Sequence, residues 1–421
     1  MKNVRSKILS VWLSAIMLTA AIPALTACAP RDEVLKIYNW GDYIDEDLLP
    51  EFEEWYERET GKSISVQYDT FDTNESMIMR IEVLKSDYDL VCPSDYMAER
   101  MISGGLVQAV NRNIFDMTAD GFLYDGLAEM VAPFDPNNEY FVPYVWGTFG
   151  IMYDTNHIQA GDEQMRSWEA LWSDKYSKRI LMKDSVRDAY SVAQIYNNRD
   201  KLSALSDGFT NYDNDGYRNE LISYFTEISD AAIANAQKSL IEQKSRLYKY
   251  EVDDGKNDML AGTTEAWLGL FWSCDTCLIM QEEGGEHFYY EVPKEGSNVW
   301  VDGWLIPKYA GNPTAANYFL KFINTYDPDD ESADYAMRNF DYMGASMAGS
   351  AVMADAKAAL EEDDGTDEDS VFYGKEPWFQ QMYIDMLFPP EDVLARCGVM
   401  RDFGKARSTD LDSMWIDVKT T

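Results

Sequence analysis

Three tryptophans in this chain each stand two or three residues ahead of an aspartate: Trp40 with Asp42, Trp272 with Asp275, and Trp300 with Asp302. An indole face attracts a cation and covers its methylenes, while a carboxylate accepts the hydrogens of an ammonium. The pairing therefore suits an alkyl-ammonium ligand. Residues two apart on a strand share a face, so Trp40 and Asp42, and likewise Trp300 and Asp302, are expected to line one wall; Trp272 and Asp275 do so on a helical turn. A cation over an aromatic face gives about 0.5–2 kcal/mol, and a charged hydrogen bond nets about 1.5–3 kcal/mol. Micromolar binding needs about 8 kcal/mol after ordering costs are met, so several pairs must converge. The competing explanation for any single pair is a core tryptophan beside an aspartate that caps a helix or faces water.

Charge and histidine content narrow the chemistry further. With 74 acidic and 36 basic side chains the net charge is −38, which repels nucleic-acid phosphates and anionic headgroups and attracts small cations. Most of that charge serves solubility. Only His157 and His287 are present, so histidine-based catalysis has little material. Cys274-Asp275-Thr276-Cys277 has the spacing of a redox pair or half a zinc site, but no second such motif accompanies it, and the Leu278-Ile279-Met280 run after it reads as buried helix. A short disulfide or two packed thiols is the expectation there. Cys92 and Cys397 allow no pairing to be deduced, and no metal site or cofactor is expected.

The elements that must position these residues follow a regular alternation. Val34–Asn39 reads as a strand, Asp45–Thr60 as an amphipathic helix ended by Gly61, and Ile64–Tyr68 as a second strand. Asn74–Leu84 reads as a helix, and Tyr88–Cys92 as a third strand stopped by Pro93. That βαβαβ order predicts a parallel sheet whose ligands gather at the C-terminal strand ends, where Trp40–Tyr43 and Ser94–Tyr96 follow. A second α/β region begins near Tyr144, with strands at Gly147–Asp154 and Ile180–Lys183 and helices starting at Ser167–Trp172 and covering Asp188–Asn197. The polar stretch 198–220 reads as a surface insertion. Leu268–Trp272 is an apolar strand running into the Cys274 helix, and Trp300–Pro307 is a strand expected to cross between two lobes. Asn312–Asn324 and the segments after Ala333 read as mostly helical, and Glu361–Asp369 as a solvated acidic loop.

The N-terminus reads as an export signal. Lys2, Arg5 and Lys7 precede the apolar run Ile8–Ile22, which is short for a membrane span. Leu25-Thr26-Ala27-Cys28 resembles the lipobox of bacterial lipoproteins. Residues 1–27 are then the leader, 28–33 a linker, and Cys28 the lipidated residue anchoring the chain outside the cytoplasm. An ordinary secretory signal with an incidental cysteine leads to the same side of the membrane. The roughly 390 residues that follow suffice for two domains with sizeable cores.

Five ordered blocks carry a resemblance that runs from about Leu35 to Asp417. They are Ile37-Tyr38-Asn39-Trp40-Gly41-Asp42-Tyr43-Ile44, Tyr88-Asp89-Leu90-Val91-Cys92-Pro93-Ser94, Pro143-Tyr144-Val145-Trp146-Gly147, Pro293-Lys294-Glu295-Gly296 and Trp300-Val301-Asp302. The chain resembles the periplasmic spermidine/putrescine-binding proteins of polyamine ABC importers. The resemblance implies an α/β fold of the two-lobed type II periplasmic-binding-protein kind, each lobe a mainly parallel sheet flanked by helices, joined by crossing hinge strands. Residues 34–144 plus 302–346 are expected to form the first lobe, and 145–301 plus 347–421 the second. Carried over position by position, Trp40, Asp42 and Tyr43 match the first binding loop, and Ser94 and Tyr96 the second. Asp188 matches an acid of the far lobe, Trp272 a stacking tryptophan, Trp300 and Asp302 the aromatic and acidic pair at the crossover, and Tyr342 a tyrosine near the hinge. Asp275 corresponds to an acid of the putrescine-selective branch. Ser185 departs from the aspartate usual in the spermidine-preferring branch, and Met400 from its glutamine. Extra residues between Gly262 and Trp272 change the approach to that tryptophan. The pattern leans towards putrescine or a mixed specificity.

The expected function is thus a lipid-anchored, monomeric, non-enzymatic receptor that captures a polyamine by hinge closure and presents it to an ABC permease. A secreted glycan-binding protein or glycoside hydrolase is the alternative from another class, because aromatics also stack on sugars and paired carboxylates hydrolyse glycosides. A ligand-sensing lipoprotein of a signalling system is the third.

Overall fold

The computed structural model describes residues 30–421 except 119–121, 125, 213, 214, 253 and 369. The leader and Cys28 therefore lie outside the described residues. Thirteen strands are present among the described residues: β1 (Val34–Trp40), β2 (Ser65–Phe71), β3 (Leu90–Val91), β4 (Val107–Gln108), β5 (Val142–Asp154), β6 (Ile180–Lys183), β7 (Leu247–Glu251), β8 (Leu268–Trp272), β9 (Phe288–Glu291), β10 (Ser297–Trp304), β11 (Ile306–Pro307), β12 (Ser346–Met347) and β13 (Cys397–Gly398).

The first strands form a parallel sheet of order β2-β1-β3, as their alternation with helices predicts. β1 is largely buried, and its Leu35, Ile37 and Tyr38 share a core with Leu48 and Phe52 of the helix Leu48–Thr60 and Phe319 of the helix Pro313–Ile323. Gly61 ends the first of these helices in the left-handed conformation at φ 71°, where a side chain would be strained. A larger sheet runs β13-β10-β5-β8-β6-β7, with β9 and β12 also paired to β5. Within it β7, β6 and β8 are parallel neighbours, so Glu251, Lys183 and Trp272 all end at one rim.

β5 and β10 join the two parts of the molecule. They pair antiparallel, with Val145 opposite Asp302, Gly147 opposite Trp300 and Thr148 opposite Val299. Val142, Tyr144, Val145 and Trp146 of β5 belong to one hydrophobic core together with β1 and β3, whereas Phe149, Ile151 and Tyr153 enter a second core with β6 and the helix Val186–Leu205. Gly147 has no room for a side chain, since a Cβ there would stand 2.5 Å from Ser273 Oγ and 2.7 Å from the Trp300 ring. Close approach of the two strands to the helix Ser273–Gln281 depends on that bare backbone.

Several sequence expectations need correction. The stretch 198–220 is not a surface insertion: the helix Val186–Leu205 continues through its first part, and the helix Asp215–Thr226 begins in it. Tyr217, Leu221 and Phe225 repeat every fourth residue and are fully buried in the second core. Trp300–Pro307 is two strands, β10 starting earlier at Ser297 and β11 pairing with β4. Asn74–Leu84 is one α-helical turn followed by a π-helical one, Met79–Val83, and Ser167 caps a 3-10 turn over Trp168–Trp172. Cys92, Cys274, Cys277 and Cys397 are buried free thiols, so the Cys274 and Cys277 pair is packed rather than bonded.

Candidate binding cleft

Asp302, the acid of the expected crossover pair, lies in β10. Its carboxyl is 5% exposed, its Oδ2 accepts a hydrogen bond from the Tyr43 hydroxyl at 2.8 Å, and its Oδ1 has no hydrogen-bond partner. Burial raises its pKa to about 6, a rise to which the nearby Asp188 carboxyl adds, while the Tyr43 and Ser94 hydroxyls pull the other way. Such a group is a costly one to bury unless a cation arrives.

The elements around Asp302 come from both cores. Tyr43 stands in the loop after β1, and Ser94 follows β3 and bridges to Asp302 through the backbone. Ser94 is held by Asn74, whose side chain donates to Ser94 Oγ at 3.0 Å and accepts from Ser94 N at 3.2 Å. Tyr96 receives a second hydrogen bond from Asn74 at 3.0 Å and donates to Glu75 at 3.4 Å. From the other side, Asp188 sits in the first turn of the helix Val186–Leu205, buried, with its pKa pushed up to about 6 by desolvation. Ser185 accepts from Asp188 N at 3.3 Å, so the departure from the expected aspartate is a helix cap. Tyr96 and Trp272 both pack against the two cores at once and thereby mark the seam between them.

Three residues that sequence reasoning missed complete the surroundings. Asp95 is fully enclosed beside Ser94 and accepts from Tyr96 N at 2.6 Å and Val301 N at 3.4 Å; burial raises its carboxyl to about 8. Arg187 is sandwiched between the rings of Tyr96 at 4.0 Å and Phe403 at 3.9 Å and donates to the Arg401 carbonyl at 2.6 Å. Lys183 is the third, at the end of an otherwise apolar strand. A search for acids does not pick out a lysine or an arginine, whereas Asp95, between the expected Ser94 and Tyr96, could have been found by one.

The expected residues do not all meet. Trp300 and Asp302 lie in the same strand two residues apart, and Trp300 Nε1 donates to the Thr148 carbonyl at 3.2 Å. Trp40 and Asp42 do not share a strand face as expected, because β1 ends at Trp40 and Asp42 is an exposed turn residue at φ 54°. Asp42 instead lies near Tyr342, whose phenol it raises behind burial itself; Tyr342 is half-exposed on the helix Tyr335–Met343. Trp40 packs on Phe71 at 4.4 Å and on Tyr43 at 6.4 Å between ring centroids, and its Nε1 has no partner. Asp275 is not open to a ligand either. Its Oδ2 is 3.1 Å from Lys183 Nζ and its Oδ1 3.0 Å from Lys256 Nζ, with all three side chains buried. Trp272 and Asp275 do enclose an alkyl-ammonium as their spacing predicts, but it is the protein's own: Lys183 Nζ stands 4.2 Å from the Trp272 ring centroid.

Two further contacts join segments that contribute to the two cores. Glu99, on the helix Asp95–Ser103, accepts two hydrogen bonds from Arg401 at 2.6 and 3.0 Å and one from Asp402 N at 2.8 Å. Lys405 pairs with Glu82 at 3.1 Å. Met97 and Met101 of the Glu99 helix lie in the first core, and Met400 and Phe403 in the second.

Comparison with known proteins bears on family and fold. A family model described as bacterial extracellular solute-binding protein matches residues 52–337. The spermidine/putrescine-binding periplasmic protein of Salmonella typhimurium is 28% identical over 317 residues, covering 75% of this chain and 79% of the relative. The putrescine-binding periplasmic protein of Escherichia coli is 24% identical over 324 residues, covering 74% and 79%. Among solved structures, the substrate-binding protein of a spermidine/putrescine ABC transporter from Streptococcus pneumoniae superposes with a TM-score of 0.63 at 25% identity, covering 92% of this chain and 99% of that one. The architecture is that of the two-lobed type II periplasmic binding proteins.

Proposed function

We propose that this chain, which belongs to the bacterial extracellular solute-binding protein family, takes a polyamine as its solute and hands it to an ABC permease. The observation that carries this reading is Asp302: a buried carboxylate with one oxygen oriented by Tyr43 and the other without a partner, beside a second buried acid, Asp188. A buried carboxyl whose pKa a second buried acid helps to raise is the complement of a ligand with more than one ammonium. The relatives named for spermidine and putrescine support that class of ligand. Trp40, Tyr43, Tyr96 and Trp300 supply aromatic surface for the methylenes.

Segments 34–144 plus 302–346 and 145–301 plus 347–421 act as the two lobes. A cation that touches Asp302 and Asp188 together stabilises the closed arrangement only through contacts it makes there, so capture and closure are one event. Binding and release need no covalent step. The basic and apolar leader ending at Cys28 supports export followed by lipid anchoring, and no helix of the described residues is long and apolar enough to cross a membrane.

The test is calorimetric titration of the chain beginning after Cys28 with putrescine, spermidine and spermine, using a neutral oligosaccharide as control. Micromolar or tighter binding of a polyamine supports the reading. Heat with the oligosaccharide and none with the three amines overturns it in favour of a glycan-binding protein.

A further inference from the structure

The rim formed by the C-terminal ends of β7, β6 and β8 holds a closed set of four charges. Lys183 Nζ is 2.9 Å from Glu251 Oε1, 3.1 Å from Asp275 Oδ2 and 2.9 Å from the Val252 carbonyl. Lys256 Nζ takes the remaining Asp275 oxygen at 3.0 Å. The lysine and carboxylate side chains of this set are each 8% exposed or less. Two positive and two negative groups balance, so the set as a whole offers no net attraction to a cation. Above it the Lys183 ammonium lies over Trp272 at 4.2 Å and Phe271 at 5.0 Å. Trp272, like Tyr96, packs against both cores, which puts this ring at the seam between them. Lys183 also acts on the charge of Asp188, which lowers that carboxyl's pKa against the effect of burial.

We propose that Lys183 is a specificity-determining residue: a tethered alkyl-ammonium that fills the Trp272 and Asp275 position and so selects a diamine over longer polyamines. The inference rests on the polyamine reading of the cleft. Asp302 and Asp188 remain for the ligand, one for each end of a short diamine. A third ammonium extending towards Trp272 meets a fixed like charge among buried side chains, and finds both oxygens of Asp275 already held by lysines. Discrimination of this kind works by repulsion, which an inspection of attractive contacts overlooks.

The experiment compares putrescine and spermidine by calorimetry on the wild-type chain, Lys183→Met, Lys183→Arg and the double variant Lys183→Met with Glu251→Gln. The double variant removes one positive and one negative group together and leaves Asp275 with Lys256, which guards against misfolding from a stranded acid. Wild type is expected to prefer putrescine. Either variant with Lys183→Met should move the spermidine-to-putrescine affinity ratio towards spermidine by about tenfold or more, the scale of one lost like-charge contact, while Lys183→Arg keeps the wild-type ratio. A wild type that prefers spermidine, or a ratio unchanged in a folded, putrescine-binding Lys183→Met chain, overturns the assignment. A folded wild type that binds neither amine overturns the polyamine reading itself, which the oligosaccharide control registers separately.

Discussion

The Tyr43 hydroxyl donates to Asp302 Oδ2 at 2.8 Å across 259 residues of sequence, joining the loop after β1 to the strand that links the two cores. The other carboxylate oxygen, Oδ1, has no hydrogen-bond partner. Asp302→Asn keeps the shape and the Tyr43 contact but removes the charge. Polyamine affinity should fall by about 10- to 100-fold, the worth of one charged hydrogen bond. The melting temperature at neutral pH should hold or rise, because a buried ionised carboxylate is costly in the empty cleft. Calorimetry together with thermal melts checks both; undiminished affinity in a folded Asp302→Asn chain removes Asp302 from the site.

Affinity should also depend on pH in a definite window. Asp302 and Asp188 are each raised from 3.8 to about 6 in the folded chain, with burial the largest cause. A raised carboxyl binds its proton more tightly folded than unfolded, so the empty protein loses stability as pH rises from the unfolded value through about 6 and is level above it. A cationic ligand requires the ionised forms. Affinity should therefore drop on acidification below about 6, by up to about tenfold per pH unit for each acid the ligand engages. Near that pH, binding releases protons, and titrations in buffers of different ionisation enthalpy will give different apparent heats.

Glu99 and Arg401 should control how long the ligand stays. Their two-bond pairing links the helix Asp95–Ser103 to the segment after β13 and is partly shielded from water, with side chains 20% and 29% exposed. Glu99→Gln removes the ion pair at a distance from the ligand acids. A roughly 3- to 10-fold faster dissociation is expected, at an association rate changed little, since partly buried bidentate pairs give about 1 kcal/mol. Stopped-flow displacement measures it, and equal dissociation rates would show that the pair plays no part in closure.

Gly147→Ala tests the packing that sets Trp300. The added methyl meets Ser273 Oγ and the Trp300 ring well inside contact distance. Overpacking of this kind costs about 1–3 kcal/mol, which corresponds to a melting midpoint lower by about 2–6 °C. Ligand affinity should weaken as well if Trp300 is displaced, and a melt superimposable on the wild type would mean that the strands part without cost.

Much of the arrangement was legible where apolar runs end at a clear break. β1, β6 and β8 were read within a residue or two because Val34–Asn39, Ile180–Lys183 and Leu268–Trp272 are mostly apolar and largely buried. The 198–220 stretch misled because asparagine, aspartate and arginine fill the outer helical faces, and composition outweighed the fourfold spacing of Tyr217, Leu221 and Phe225. Asp302 was singled out from its indole partner, and the structure shows it buried with one oxygen bonded by Tyr43. The roles of Asp42 and Asp275 were not, for different reasons: a turn rotates Asp42 away from Trp40, and two lysines distant in sequence claim Asp275. Neither a backbone reversal nor a long-range ion pair leaves a local signature.

β5 also bears on which changes of length this chain can accept over evolutionary time. Its thirteen residues serve both cores, and beyond the irregularity at Tyr144 its residues from Val145 to Thr148 pair one for one with β10. Loss of one residue between Val145 and Phe149 would invert every side chain beyond it and bring Trp146 or Thr148, in place of Gly147, against the Trp300 ring. Insertions and deletions among homologues should therefore accumulate in the loops and helix ends and be absent from this strand, whatever ligand each homologue carries.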